Sequence, residues 1–315
     1  MNNILVTGAA GFIGRSIAAR YLALGHKVRG VDNFITGKRA NLVGLEAMDF
    51  IEGDLTNADL CRTACTGIDV VFHEAALASV PRSIENPLET NSACVTATLN
   101  LLIAAQATGV PRFVYAGSSS AYGDDPTLPK LEAMRPDPIS PYAAAKLAGE
   151  YYVRCFARVH GMETVTLRYF NVFGPYQAPD SPYSGVLSIF CRRMIAGEDL
   201  VVYGDGEQTR DFTFIDDVVR ANELAGGTDA GLIAGKSFNV ATGKASSLND
   251  AIRALRNLTG YKGHVHYEPA RPGDVRHSQA DIELARRIMG FEPRTTFEDG
   301  LRSTVEWYRN YATVA

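Results

Sequence analysis

The stretch of sequence that decides the fold is residues 4–14, which read ILVTGAAGFIG. A short apolar run leads into a glycine-rich turn, and a segment with helical spacing follows. Gly8 permits a tight turn after a strand, Gly11 lets the backbone approach a pyrophosphate, and Gly14 allows close packing of helix on strand. The N-terminus of such a helix also faces the phosphates of a dinucleotide. By itself the pattern is also compatible with a plain glycine-rich turn. The neighbouring sequence decides between that turn and a dinucleotide site.

Apolar runs and helically spaced segments alternate on both sides of that stretch, over the first half of the chain. The apolar runs are 4–6, 27–31, 48–51, 70–73, 113–116 and 163–168. The helical segments are 11–24, 59–65, 88–107 and 140–160. Runs that are apolar throughout suit strands buried on both faces, and short links suit parallel pairing. The alternation predicts an α/β fold with a doubly wound parallel sheet (Rossmann).

The pattern changes after about residue 172, where Gly, Pro and Asp punctuate the sequence and helical segments follow. We interpret residues 1–172 as a dinucleotide-binding domain and residues 173–315 as a smaller C-terminal α/β lobe for the substrate. The run 238–241 is a late strand that returns to the sheet, so the division is interleaved near residues 212–242.

Composition narrows the possible partners. The 315 residues carry 31 Lys+Arg against 35 Asp+Glu, a net charge of −4. A slightly acidic chain without basic runs argues against nucleic acid or an anionic membrane as a partner. No apolar stretch approaches the roughly 18 residues of a membrane span, and the five scattered cysteines form no CxxC motif. We therefore expect a cytoplasmic protein without a disulfide framework or a metal site.

An acidic residue follows the second apolar run. Asp32 lies 24 positions after Gly8, where a carboxylate accepts hydrogen bonds from the adenosine ribose and repels a 2′-phosphate. This favours NAD over NADP, although the nearby Lys38 and Arg39 leave NADP open. Residues 53–55 (GDL) and 73–76 (HEAA) end the next two sheet strands, at the edge where ligands bind in such folds.

A second constellation carries the chemistry. Residues 140–146, SPYAAAK, start a helix with Ser140 as N-cap, and place Tyr142 and Lys146 four residues apart on one face. A phenol with a pKa of about 10 is a poor base, but a neighbouring ammonium and an oxidised nicotinamide favour the phenolate. Hydroxyls of the serine run 118–120 could bond a reacting oxygen. Each motif also has a non-catalytic interpretation. Tyr142 and Lys146 could be four residues apart by chance, and the serine run could be a plain serine-rich loop.

Taken in this order, the motifs resemble the extended short-chain dehydrogenase/reductases over nearly the whole chain. The further matching segments are 32–37 (DNFITG), 167–175 (LRYFNVFGP), 204–217 (GDGEQTRDFTFIDD) and 271–274 (RPGD). They look like the nucleotide-sugar epimerase branch, whose members keep NAD bound, act on UDP-hexoses and form homodimers through two helices per subunit. Here those helices are the segments 88–107 and 140–160.

The resemblance implies a role for each matching residue. Tyr142 is the base, Lys146 holds the nicotinamide ribose and aids Tyr142, and Ser118 bonds the sugar O4, with Ser119 as the near alternative. The implied cofactor-binding residues are Gly8, Gly11, Phe12, Ile13, Gly14, Asp32, Asn33, Phe34, Thr36, Gly37, Asp54, Leu55, Ala75, Ala76, Tyr142, Lys146 and Phe170. The implied substrate-binding residues are Ser79, Ser118, Ser119, Tyr142, Asn171, Gln177, Val186, Tyr203, Arg210, Arg271, Asp274 and Ser278.

The predicted reaction follows from which family residues this chain has and which it lacks. Arg210 and Arg271 match the arginines that clamp the diphosphate, and Tyr203 matches the aromatic that stacks on uracil. Dehydratases carry Asp-Glu where this chain has Ser119 and Ser120, and no basic residue is evident for a C6 carboxylate. The remaining reaction is 4-epimerisation by transient oxidation at C4 through a 4-keto sugar. The alternatives are a UDP-glucuronate decarboxylase, another NAD-dependent nucleotide-sugar oxidoreductase, and a non-catalytic NAD sensor.

A finer signal concerns the sugar. The segments 79–83, 169–174 with Gln177, and 271–278 resemble bacterial UDP-N-acetylglucosamine 4-epimerases. Ser278 stands where glucose-specific epimerases carry a Tyr, and a small residue leaves volume for an N-acetyl group. We therefore expect UDP-GlcNAc and UDP-GalNAc as substrates, with UDP-Glc and UDP-Gal left open. Cys94 departs from the family pattern, which has an Asn that orders the cofactor-side loop; Asn91 is the candidate substitute.

Overall fold

The central layer of the molecule is a parallel sheet. The computed structural model describes residues 2–178, 185–270 and 275–311. The sheet strands are β1 (Asn3–Thr7), β2 (Lys27–Asp32), β3 (Asp49–Glu52), β4 (Val70–His73), β5 (Arg112–Ser118) and β6 (Glu163–Tyr169). Within the described residues a seventh strand, Lys236–Val240, pairs with β6, so the order is β3-β2-β1-β4-β5-β6 followed by that strand. All neighbours are parallel, which confirms the doubly wound fold.

The order of the strands reverses between β1 and β4. Successive strands run one way from β1 to β3 and the other way from β4 to β6. At such a switch point the connections leave in opposite directions, which opens a crevice beyond the carboxyl ends of the two central strands. The glycine-rich turn follows β1, and Glu74 follows β4, so both lie at this crevice.

Helices cover both faces of the sheet. Those of the first part are α1 (Phe12–Ala23), α2 (Ala58–Cys65), α3 (Val80–Glu85), α4 (Pro87–Asn91), α5 (Ala97–Ala107) and α6 (Pro141–His160). Adjacent residues of a strand point into different cores: Ile4 and Val6 pack on the side of α1, whereas Leu5 packs on the side of α2, α5 and α6. This alternation within an apolar run explains why the strands read as continuously apolar.

The predicted helix 88–107 is interrupted. It begins at Pro87, capped by the Asn86 side chain, and passes through a π-helical turn at Ser92–Thr96 before α5. Such turns are rare inside α-helices and concentrate at functional sites. The apolar spacing continues across the turn, so the sequence pattern gave no sign of it.

The second half of the chain completes the molecule. Its strands are β7 (Val172–Phe173), β8 (Leu200–Tyr203), β9 (Thr209–Arg210), β10 (Thr213–Phe214), β11 (Lys236–Val240), β12 (Ser246–Ser247) and β13 (Val265–Glu268). Its helices are α7 (Val186–Ala196), α8 (Ile215–Gly227), α9 (Ala230–Ile233), α10 (Leu248–Thr259), α11 (Glu283–Met289) and α12 (Phe297–Tyr311). α8 packs against α1, and α7, α10 and α12 pack on one another. The division at residue 172 stays a prediction.

Among the residues that the structure describes, none of the helices has both the length and the apolar character of a bilayer span.

Candidate active site

The glycine-rich turn has a geometry that only glycine satisfies at two positions. Gly8 has a φ of +65°, and a Cβ there would lie 2.9 Å from the amide nitrogen of Ala75. A Cβ at Gly14 would lie 2.2 Å from the carbonyl oxygen of Gly8. Side chains at these positions would push α1 and the loop after β4 away from the turn. The turn therefore presents bare backbone to the crevice, as a pyrophosphate site requires.

Asp32 and Asn41 hold this turn from the side of β2. The Asp32 carboxylate accepts hydrogen bonds from the amides of Ala10 (2.9 Å) and Phe34 (2.8 Å). Burial raises the pKa of Asp32, and these backbone bonds oppose the rise. The side chain of Asn41 donates to the carbonyl of Ala10 over 2.9 Å. Sequence reasoning missed Asn41, because nothing in the pattern after Asp32 marks it.

A cavity of about 310 Å³ occupies the crevice. The predicted cofactor residues that line it are Gly8, Gly11, Phe12, Ile13, Gly14, Asp32, Asn33, Thr36, Asp54, Leu55, Ala75 and Ala76. The other predicted cofactor residues, which do not contribute to its walls, are Phe34, Gly37, Tyr142, Lys146 and Phe170. Gln177, predicted for the substrate, lines this cavity instead, together with the unpredicted Glu74, Ala93 and Tyr176. A glycine cradle, a helix N-terminus and the Asp32 carboxylate in one cavity fit NAD.

The residues predicted for the chemistry converge beside the carboxyl end of β5. Ser140 caps α6 by accepting from the amide of Ala143 (3.2 Å), as predicted. The Tyr142 phenol lies near Ser118, whose hydroxyl lies 2.8 Å from that of Ser120.

Lys146 is fixed in a buried position by Tyr115. The Lys146 Nζ atom stands 4.4 Å from the centroid of the Tyr115 ring, and the Tyr115 hydroxyl donates to the Lys146 carbonyl over 3.1 Å. The Lys146 side chain is almost fully buried, whereas Tyr142 is half-buried. The tyrosine therefore keeps some accessible surface, whereas the lysine has almost none.

The pKa shifts of Tyr142 and Lys146 differ from the expectation that the ammonium simply favours the phenolate. Burial raises the pKa of Tyr142, and the nearby Ser118 side chain lowers it. Burial lowers the pKa of Lys146, and its neighbours Cys94 and Glu74 raise it. The expectation of a stabilised phenolate left out this burial effect. The oxidised nicotinamide of a bound NAD supplies the additional positive charge that favours the phenolate.

A buried chain of hydrogen bonds links two walls of the cavity. The Ala75 amide donates to Thr7 Oγ1 (3.2 Å), and Thr7 bonds His73 Nδ1 (2.7 Å). On the other side, His73 Nε2 bonds Thr98 Oγ1 (2.9 Å), which donates to the Cys94 carbonyl (2.6 Å). Burial lowers the pKa of His73 to about 3, so the ring is neutral. Since Thr98 gives its proton to Cys94, Nε2 carries the histidine proton and Nδ1 accepts from Thr7.

Cys94 replaces the family Asn within the π-helical turn. The Cys94 thiol is buried and lies near the backbone of Leu77, which is on the loop after β4. Burial raises the pKa of this thiol, and Lys146 and the nearby Leu77 backbone oppose the rise. Asn91 is exposed, and its role as the substitute for the family Asn stays a prediction.

The predicted sugar-side residues lie on short strands of the second half. β9 carries Arg210, and the amide of Ser278 donates to the carbonyl of Thr209 over 3.1 Å, so Ser278 and Arg210 are close. Tyr203 ends β8 and is 37% exposed. Arg271 and Asp274 lie outside the described residues.

The remaining predicted substrate residues hold local structure. Asn171 has a φ of +25°, and its carbonyl accepts from the amide of Thr213 (3.3 Å). Ser79 caps α3 by accepting from the amide of Arg82 (3.1 Å). Ser119 begins a short 3-10 turn after β5, and Val186 is the first residue of α7.

The fold and site define a dinucleotide-dependent enzyme with a serine–tyrosine–lysine set. Residues 4–241 match the NAD dependent epimerase/dehydratase family. The UDP-glucose 4-epimerase of Mycolicibacterium smegmatis is 38% identical over 316 residues, which cover 97% of this chain and 98% of that protein.

Two solved structures show the same similarity. The UDP-N-acetylglucosamine 4-epimerase of Methanobrevibacter ruminantium, in complex with UDP-N-acetylmuramic acid, has a TM-score of 0.93 and 38% identity, covering 98% of this chain and 99% of that one. The UDP-glucuronic acid 4-epimerase of Bacillus cereus, in complex with UDP-glucuronic acid and NAD, has a TM-score of 0.91 and 31% identity over the same shares. The chain belongs to the NAD dependent epimerase/dehydratase family, among its UDP-sugar 4-epimerases, and its cofactor is NAD.

Proposed function

We propose that this enzyme interconverts UDP-GlcNAc and UDP-GalNAc at C4, and that UDP-Glc and UDP-Gal also turn over. The observation that carries the choice of sugar is the small residue Ser278, whose amide donates to the carbonyl of Thr209, the residue before Arg210. With Arg210 on the diphosphate, Ser278 leaves room near the sugar for an acetamido group. A substrate without that group fits the same volume, so the plain hexoses are weaker substrates rather than excluded ones.

In the proposed reaction, Ser118, Tyr142 and Lys146 each have a separate role. Ser118 donates a hydrogen bond to the sugar O4 and holds it against Tyr142, which takes the proton of the C4 hydroxyl. Lys146 binds the nicotinamide ribose and favours the tyrosinate. NAD bound in the crevice would supply the acceptor and donor for the C4 hydride. The 4-keto sugar turns over before the hydride returns to the opposite face of C4, and Tyr142 gives the proton back to O4.

A substrate panel tests the proposed sugar. Purified enzyme without added cofactor is incubated separately with UDP-GlcNAc, UDP-GalNAc, UDP-Glc and UDP-glucuronate, and the C4 configuration is read by NMR. We expect the two acetylated sugars to converge on one mixture, faster than UDP-Glc reacts. Conversion of UDP-glucuronate alone, or release of CO₂ from it, would contradict the proposal.

We propose a homodimer that buries an apolar face on α3 to α6. The exposed residues on these helices include Leu88 (81% exposed), Val159 (74%), Ile84 (60%), Ile103 (51%) and Tyr151 (46%). Contiguous exposed apolar residues are typical of protein–protein contact surfaces, so the proposal requires these side chains to meet in one face. Light scattering at micromolar concentration should give twice the chain mass, and Leu88→Glu should shift it toward the monomer. A wild-type monomer would contradict the proposal.

A further inference from the structure

Glu74 is the carboxylate at the switch point that the sequence motifs leave without a role. It directly follows β4, where Val70 and Phe72 point to the side of α1 and α8. Because side chains alternate along a strand, Glu74 points to that same side, just beyond the sheet edge. It is half-buried and lines the cofactor cavity together with Gly8 and Ala75. Its accessible surface therefore belongs to the cavity.

The hydrogen bonds that join Asn222, Tyr169 and Glu74 have a fixed donor-to-acceptor direction. Asn222 Nδ2, on α8, donates to the Tyr169 hydroxyl oxygen over 2.8 Å. The Tyr169 hydroxyl donates to Glu74 Oε1 over 2.9 Å. An amide nitrogen can only donate, so the phenol accepts from Asn222 and gives its single proton to the carboxyl. Oε1 is consequently an acceptor, and a proton on Glu74 must reside on Oε2.

We propose that Glu74 is a cofactor-binding residue that acts as a neutral carboxylic acid, with Oε2–H donating a hydrogen bond to an acceptor oxygen of the bound dinucleotide. A phosphate or ribose oxygen is the chemical class of partner that such a donor recognises. The proposal depends on NAD as the cofactor and not on which sugar is the substrate.

The electrostatic surroundings agree with a neutral acid. Burial raises the pKa of Glu74 to about 7, while the Tyr169 bond and the Lys146 charge oppose the rise. The neighbouring His73 is neutral, so Lys146 on α6 is the cation that acts on this carboxyl among the described residues. A dinucleotide brings two phosphate charges into the same cavity. An ionised Glu74 would repel them, whereas the protonated form donates to them.

The proposal fixes the sign of a pH effect on NAD binding. Because the protonated form binds NAD more tightly, bound NAD raises the pKa of Glu74 further. NAD affinity is then constant at low pH, and it falls by up to about tenfold per unit as the pH rises above the pKa of the free site. A carboxylate that merely supports the fold would produce no such step.

The test is the exchange of bound NAD against labelled NAD in the purified holoenzyme, measured from about pH 6 to about pH 9. We expect wild-type exchange to accelerate with pH. Glu74→Gln keeps an acceptor for Tyr169 and an N–H donor toward the cavity, so its exchange should stay slow at every pH. Glu74→Leu removes the donor and should release NAD quickly throughout.

Three further outcomes test the proposal. Tyr169→Phe removes a bond that stabilises the carboxylate, so the pH step should move to higher pH. A Glu74→Gln enzyme that keeps the wild-type step, or a wild-type enzyme without a step, would overturn the proposal. Because NAD exchange needs no sugar, either result leaves the proposed epimerisation untouched, and failure of epimerisation would leave this result standing.

Discussion

The cofactor side and the predicted sugar side of the site are determined by different kinds of contact. On the cofactor side, backbone atoms dictate the residue type, since a Cβ at Gly8 or Gly14 would meet main-chain atoms at 2.9 Å and 2.2 Å. On the sugar side, Tyr203 is 37% exposed and Ser278 is half-buried, so side-chain size decides what fits. The backbone contacts on the cofactor side allow only glycine, whereas the partly exposed positions on the sugar side allow several residue types. The cofactor can thus be inferred from a motif, and the sugar must be measured.

The largest effect should come from the group that serves both sides. Tyr142→Phe removes the acid/base at the reacting oxygen, and we expect turnover to fall by about 10²–10⁴-fold. NAD and UDP-sugar should still bind nearly as tightly, because the other residues predicted to hold them are unchanged. Steady-state kinetics and NAD content measure the two effects separately. Tyr151→Phe, an exposed position on the same helix, is the matched control. Wild-type turnover in the Tyr142 variant would exclude it as the base.

The next effect tests the backbone constraint on the cofactor side. Gly14→Ala places a methyl group 2.2 Å from the Gly8 carbonyl oxygen. The main chain fixes the positions of both the methyl carbon and this oxygen, so no side-chain rotation can relieve the overlap. Overpacking of this kind costs about 1–3 kcal/mol, so we expect a lower Tm and loss of bound NAD.

A glycine elsewhere serves as the control for that variant. Gly25 has a φ of +81° and open space around it, and Asn tolerates this conformation, so Gly25→Asn should keep its NAD. If Gly14→Ala retained NAD like this control, the close approach would not matter.

The smallest expected effect on overall activity tests the sugar side. Ser278→Tyr should suppress turnover of UDP-GlcNAc and UDP-GalNAc while sparing UDP-Glc and UDP-Gal, because the ring occupies the acetamido volume. A steric overlap can exceed the roughly 1–3 kcal/mol of a missing methylene. The kcat/KM values for all four sugars provide the measurement, with Ser278→Ala as the small-residue control. A uniform fall across the four sugars would show that Ser278 does not select by size.

Local sequence patterns predicted the parts of the site that local geometry controls. The turn at Gly8, the cap by Ser140 and the strand ends at the crevice depend on residues close in sequence. The partnership of Glu74 with Tyr169 could not be predicted in this way, because it joins strands separated by β5 and by 95 positions in the chain.

Burial was the other effect that the sequence could not provide. Tyr142 and Lys146 were recognised from their spacing, yet the shifts of their pKa values come from the packing around them. The interruption of the predicted helix 88–107 has a similar cause. Residues 92–96 continue the apolar spacing, and the π-helical turn lies where Cys94 and Thr98 approach the loop after β4 and His73 of β4.

The most direct test of the central claim follows a deuterium atom at C4. The better substrate of UDP-GlcNAc and UDP-Glc, labelled at C4, is incubated in ordinary water with purified enzyme and no added cofactor, and the 4-epimer is examined by NMR and mass spectrometry. A redox-neutral transfer to and from bound NAD predicts an epimer that keeps its deuterium at C4. An epimer that carries solvent hydrogen at C4, or deuterium that leaves in free NADH, would contradict it.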